Sequence, residues 1–160
     1  MINLERVTSA LSINSKKALI IANRLSRGSD DFIGPQNLAD AARMVDEGFD
    51  KVFKPHNLRT HRYSSSTYED VYELGGVSGE YRSAMYSLTD SAKATLELAE
   101  SYSLLNADGI EPMHILLAAI DWDGSNGSYI FSSNPPNPRL HFELKMALLS
   151  GVQNTLNAAV

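Results

Sequence analysis

The chain has 160 residues, 43% of them hydrophobic and 21% charged, with a net charge of −5. That balance suits one domain with an ordinary core, since domains usually run to about 100–150 residues, and it is not the composition of a disordered chain. The acidic balance argues against nucleic acid as the main partner, and the absence of Cys leaves no disulfide framework, thiolate metal site or Cys nucleophile.

The N-terminus, MINLERVTSALSINSKK, is charged and polar throughout and lacks the apolar core of a signal peptide. No apolar run approaches the roughly 18 residues needed to span a bilayer. A soluble, cytoplasmic protein with no membrane partner is therefore expected. Asn3 to Leu11 reads as a short helix or a frayed arm, with Leu4, Val7 and Leu11 on one face. Ser12 or Asn14 can cap the next helix, because a short side-chain oxygen accepts a free backbone N–H. Ala18, Leu19, Ala22 and Leu25 form its inward stripe, widened by Ile20 and Ile21. Gly28 closes it, Ser29-Asp30-Asp31 turns, and Phe32 and Ile33 are expected to dip back towards the core. Pro35 sits where a first helical residue belongs, since its missing N–H is not needed there. Leu38, Ala41, Ala42 and Val45 carry the following face, and Gly48 ends it.

Phe49 to Phe53 suggests a short helix or turn, broken by Pro55. His56 to Ser66 is basic and serine-rich and reads as a surface loop. Ser66 or Thr67 is expected to cap a short helix stopped by Gly75-Gly76. Ser78 to Ser87 predicts another, with Tyr81, Ala84 and Met85 turned inward. Thr89 is the N-cap of a cleaner amphipathic helix carrying Ala92, Leu96, Ala99 and Tyr102 or Ser103. Asn106 to Gly109 turns, Ile110 returns to the core, and Pro112 starts a helix bearing His114, Ile115, Leu116, Ala118 and Ala119. Asp121 to Gly127 reads as a turn, Tyr129 to Phe131 as a short helix, and the prolines at 135, 136 and 138 impose an extended loop. Arg139 to Leu156 predicts a closing helix with Phe142, Met146, Leu149, Val152 and Leu156 inward.

Two of these stretches are copies. Leu11 to Arg43 slides without a gap onto Leu88 to Ile120, pairing Leu19 with Leu96, Ala22 with Ala99, Ile33 with Ile110 and Pro35 with Pro112, each 77 residues on. Internal repeats decide a fold before any single element does. The expectation is an all-α domain over residues 1–160 with two pseudo-symmetric repeats of about four helices each. Repeat one covers about 11–54, linking short helices 55–87, and repeat two about 88–156.

The pattern resembles the Clp repeat domain found at the N-terminus of Clp-type unfoldases. The residues that carry the likeness are Leu88-Thr89, Ala92 to Ala99, Ile110 and Glu111-Pro112-Met113-His114-Ile115-Leu116-Leu117. Leu11-Ser12, Ser15 to Ala22, Ile33 and Gly34-Pro35-Gln36-Asn37-Leu38 repeat them. The resemblance implies a double Clp-repeat fold and a non-enzymatic module that binds adaptors and substrates. No G-x-x-x-x-G-K-[ST] phosphate loop is present, so it implies a stand-alone member without the ATPase ring. Such a protein would act as an adaptor, accessory or sequestering protein for a Clp-type chaperone or protease. The alternative is a structural or assembly component of a larger complex, such as a secretion or phage system. In some family members a Glu before each motif His helps read phosphorylated arginine. Those positions hold Gln36 and Met113, which lack the carboxylate a guanidinium pairs with; Ser12 and Thr89 keep the hydroxyls. Ser12, Gln36, Thr89 and Met113 are thus the candidate partner-binding residues, in a groove where the repeats meet.

The other candidates carry less. His114 is either a base or a buried polar residue joining its helix to the preceding turn, and Asn37 at the matched position, which cannot act as a base, favours structure. A hydrolase built on His114 is the weakest reading. Asp121 to Ser132 offers oxygens in a calcium-loop pattern, but Asn126 replaces the sixth-position Gly and Ser132 the closing Glu. Lys54, His56, Arg59, His61 and Arg62 form a basic cluster suited to an acidic partner or a solvated loop. No catalytic constellation, metal or cofactor site is expected.

Overall fold

A computed structural model describes residues 4–27, 31–45, 72–73, 76–104, 109–126, 139, 142–143 and 145–150. The helices are α1 Leu4–Ser9, α2 Ile13–Ser26, α3 Pro35–Val45, α4 Gly79–Tyr86, α5 Asp90–Tyr102 and α6 Pro112–Asn126; residues 145–150 are also helical. The described residues are mostly helical, the all-α class expected from the sequence periodicity.

Local chemistry sets the starts of these helices. Ser12, Ser78 and Thr89 hold extended backbone, and their hydroxyls accept the N–H of Ser15, Tyr81 and Ala92. Each satisfies one of the donors a helix leaves unpaired at its first turn. Pro35 and Pro112 are the first residues of α3 and α6. The core between the helices holds Leu19, Ile20, Ile21, Leu38, Leu96, Ile115, Leu116 and Leu117, all fully buried. α2 packs on α3, α5 on α6, and α3 on α6, so the two helical pairs meet through α3 and α6.

The two short helices cross over. α1 packs against α5, and α4 packs against α2. An ion pair marks each crossing: Arg6 on α1 meets Glu100 on α5, and Arg24 on α2 meets Glu80 on α4. Val7 of α1 and Ala84 of α4, also 77 residues apart, are both fully buried. The internal match therefore extends upstream of Leu11, into the stretch 78–87 assigned to the linker.

Several expectations need correction. Tyr72–Glu73 (β1) and Gly76–Val77 (β2) form a short antiparallel ladder, Tyr72 opposite Val77 and Glu73 opposite Gly76, where a helix was expected to reach the glycines. Tyr favours a strand and Gly disfavours a helix by about 1 kcal/mol. Phe32 does not dip inward: it is 59% exposed, and only Ile33 is buried. Asp121 to Asn126 is not a turn but the end of α6. On the closing helix Phe142 and Met146 are exposed, at 60% and 49%, while Leu148 is the buried residue. The elements expected at Gly28, Gly48, 49–71, 105–108, 127–138 and 151–160 lie outside the described residues, including the basic cluster of Lys54, His56, Arg59, His61 and Arg62.

Candidate functional site

The candidate residues sit at two junctions between the halves, built from the same bonds. At the first junction, Ile33 forms a parallel bridge with Leu88. Its N–H donates to Ser87 O at 2.8 Å, and its carbonyl accepts the Thr89 N–H at 3.0 Å. At the second, Ile110 bridges Leu11 in the same sense. Its N–H donates to Ala10 O at 2.8 Å, and its carbonyl accepts the Ser12 N–H at 3.0 Å. Every partner in the second set lies 77 residues from its counterpart in the first.

Thr89 belongs to the first junction, where its hydroxyl donates to Ile33 O at 3.0 Å while accepting the Ala92 N–H at 3.1 Å. Gln36 is exposed on the first turn of α3, three residues past Ile33. Ser12 belongs to the second junction. Its hydroxyl accepts the Ser15 N–H and donates to Ser15 Oγ, both at 3.2 Å. Met113 follows Ile110 by three residues and packs, half-buried, against the core. The four residues thus fall into two pairs, Thr89 with Gln36 and Ser12 with Met113, one pair to each junction. The two hydroxyls serve as caps, and neither pair carries a carboxylate.

His114 supplies structure. It is 3% exposed, and its Nδ1 accepts the Glu111 N–H at 2.8 Å. An accepting Nδ1 places the ring proton on Nε2. Asn37 does the same work in the first half: its Oδ1 accepts the Gly34 N–H at 2.9 Å. Burial holds His114 below the usual imidazole range. The ring is neutral near pH 7, with its accepting nitrogen occupied by the backbone, so it is not placed to take a proton from a nucleophile.

Several polar residues escape the sequence reading. Ser15 is fully buried and donates to Ile110 O at 2.6 Å; its match Ala92 has no hydroxyl, so the repeat gives no signal for it. Asp121 accepts the Tyr102 hydroxyl and pairs with Lys145, tying α5, α6 and the helical residues 145–150 together. Leu25 and Met44 hold the positions matched to Tyr102 and Asp121, and both pack on the core. Asp40 is half-buried, and desolvation raises its carboxyl above the usual range against the opposing pull of Arg43. Glu80 lies below its usual range, chiefly because Arg24 hydrogen-bonds it at 2.6 and 2.8 Å through both carboxylate oxygens.

Among the described residues no group of three or more His, Asp or Glu is placed to hold a metal ion. No described helix is long and apolar enough to cross a membrane. Compared with protein-family models, curated proteins and solved structures, the chain matches none.

Proposed function

We propose that the chain is a double Clp-repeat protein of the cytoplasm, without enzymatic activity. It binds protein and acts as an adaptor, accessory or sequestering factor for a Clp-type chaperone or protease. The observation that supports this reading is the reciprocal pair of junctions. Ile33 bonds into the Leu88 stretch, Ile110 bonds into the Leu11 stretch, and the partners match one for one. These are the residues on which the resemblance to Clp repeats rests. In this reading α1 to α3 and α4 to α6 form the two pseudo-symmetric repeats, and the helical residues 145–150 follow the second.

The contact surface in this reading lies at the junctions, around Ser12, Gln36, Thr89 and Met113. With the Ser12 and Thr89 hydroxyls engaged as caps and no carboxylate at Gln36 or Met113, affinity in this reading rests on apolar burial, at about 25 cal/mol per Å², more than on charge.

The test is titration of the labelled chain with the host's purified Clp-type unfoldase, beside affinity capture of the tagged chain from its host. Binding to the unfoldase, weakened by Met113→Glu, supports the reading. No binding, with capture in a stoichiometric assembly lacking any Clp subunit, favours an assembly component instead. Unchanged affinity of Met113→Glu removes the Met113 surface while leaving the protein-binding role.

A further inference from the structure

Although the two junctions share their backbone bonds, different chemistry secures them. Next to the first, Asn37 Oδ1 holds the Gly34 N–H. Next to the second, His114 Nδ1 holds the Glu111 N–H. An amide oxygen does not titrate in water. An imidazole does, and once protonated it presents N–H at both nitrogens and has no lone pair left to accept.

We propose that the Leu11–Ile110 junction is an acid-sensitive clasp and that the Ile33–Leu88 junction is not. Protonation of His114 turns the Glu111 N–H from a bonded donor into one facing another donor, and it places a charge in a buried site. The relief is to withdraw the ring, which frees the start of α6 and the residue before Glu111. That residue is Ile110, whose carbonyl holds Ser12 N–H and Ser15 Oγ and whose N–H holds Ala10 O. One bond in the second half thereby controls three bonds to the first.

Charged and titratable groups lie on the elements packed against α6. They are Asp40 and Arg43 on α3, Lys16, Lys17 and Arg24 on α2, and Asp90, Lys93, Glu97, Glu100 and Tyr102 on α5. Lys145 follows on the last helical stretch, with Glu111 and Asp121 nearer in the chain. Burial alone, and none of these, shifts the His114 ring. The device does not depend on the identity of any partner.

The experiment is amide hydrogen exchange by NMR on the full chain, from about pH 7.5 to about pH 4.5, corrected for intrinsic rates. Protection at Ser12, Ile110 and Glu111 should fall by about tenfold or more relative to Ile33, Gly34 and Thr89. His114→Asn, which installs the side chain used at the other junction, should abolish the difference. Equal loss at both junctions in the wild-type chain would overturn the proposal, as would wild-type behaviour of His114→Asn. Should that variant fold poorly, the comparison between junctions within the wild-type chain decides alone.

Discussion

Ile33 and Ile110 each give a carbonyl to the capping residue of the opposite half, Thr89 and Ser12, at 3.0 Å in both cases. Helix capping and the joining of the halves are therefore one structure. Removing a cap loosens the joint as well as the helix. Thr89→Ala loses the α5 cap and the hydroxyl bond to Ile33 O, and is expected to cost about 1–2 kcal/mol. Ser15→Ala, which leaves the matched Ala, should cost about 1 kcal/mol through the lost bond to Ile110 O. Urea denaturation with an unchanged m-value checks both. Equal, near-zero effects would show that neither hydroxyl supports the joint.

Gly109 has φ of 83°, and a Cβ built on it would meet Ala10 O at 2.3 Å. Gly109→Ala therefore combines left-handed strain with a backbone clash at the Leu11–Ile110 junction. The expected loss is about 2 kcal/mol or more. Gly34→Ala is the control, because a Cβ there meets nothing nearer than Asn37 Oδ1 at 3.8 Å. It should leave the melting temperature nearly unchanged.

Glu80 and Asp40 give opposite pH dependences. Arg24 lowers Glu80, so the folded state favours its charged form. That stability is complete above the unfolded value, 4.5, and disappears as pH falls through the folded one. Glu80→Gln should be less stable than wild type at pH 7 and close to it in strong acid, as read by thermal melts across pH.

Burial raises Asp40 above 3.8, so the folded state disfavours its charge. The resulting penalty is full at pH above the raised value and disappears as pH falls towards 3.8. Leu117 occupies the matched position, fully buried. Asp40→Leu should raise the midpoint of unfolding at pH 7 and gain little in acid. A lower midpoint at pH 7 would mean that the carboxylate's partners outweigh its desolvation.

Features governed by near neighbours in the chain were legible. Thr89 caps because its oxygen reaches an N–H three residues on, and Pro35 and Pro112 open helices because of their own rings. Facing was read less well. The spacing of Phe142 and Met146 places them on one stripe of a helix, but spacing does not determine which stripe another element covers. Phe32 fails for a related reason: beside a bridging residue, alternate side chains point to opposite sides, and Ile33 took the inner one. At the candidate site, the sequence identified Ser12 and Thr89 but not the carbonyls they serve. Those carbonyls lie 98 residues from Ser12 and 56 from Thr89. The Asp121 cluster was hidden for the same reason, since Lys145 reaches it only through the folded chain.

The exchanged openers carry a further implication. α1 lies on α5 and α4 on α2, so a chain cut between α3 and α4 would leave each fragment's first helix with no seat of its own. A lone fragment would expose the surface that Val7 or Ala84 occupies, whereas two copies of the same fragment could embrace and supply each other's missing helix. Joining two such fragments in one polypeptide would turn that mutual embrace into an internal one, with each half free to carry its own side chain at a matched position, Asn37 in one and His114 in the other.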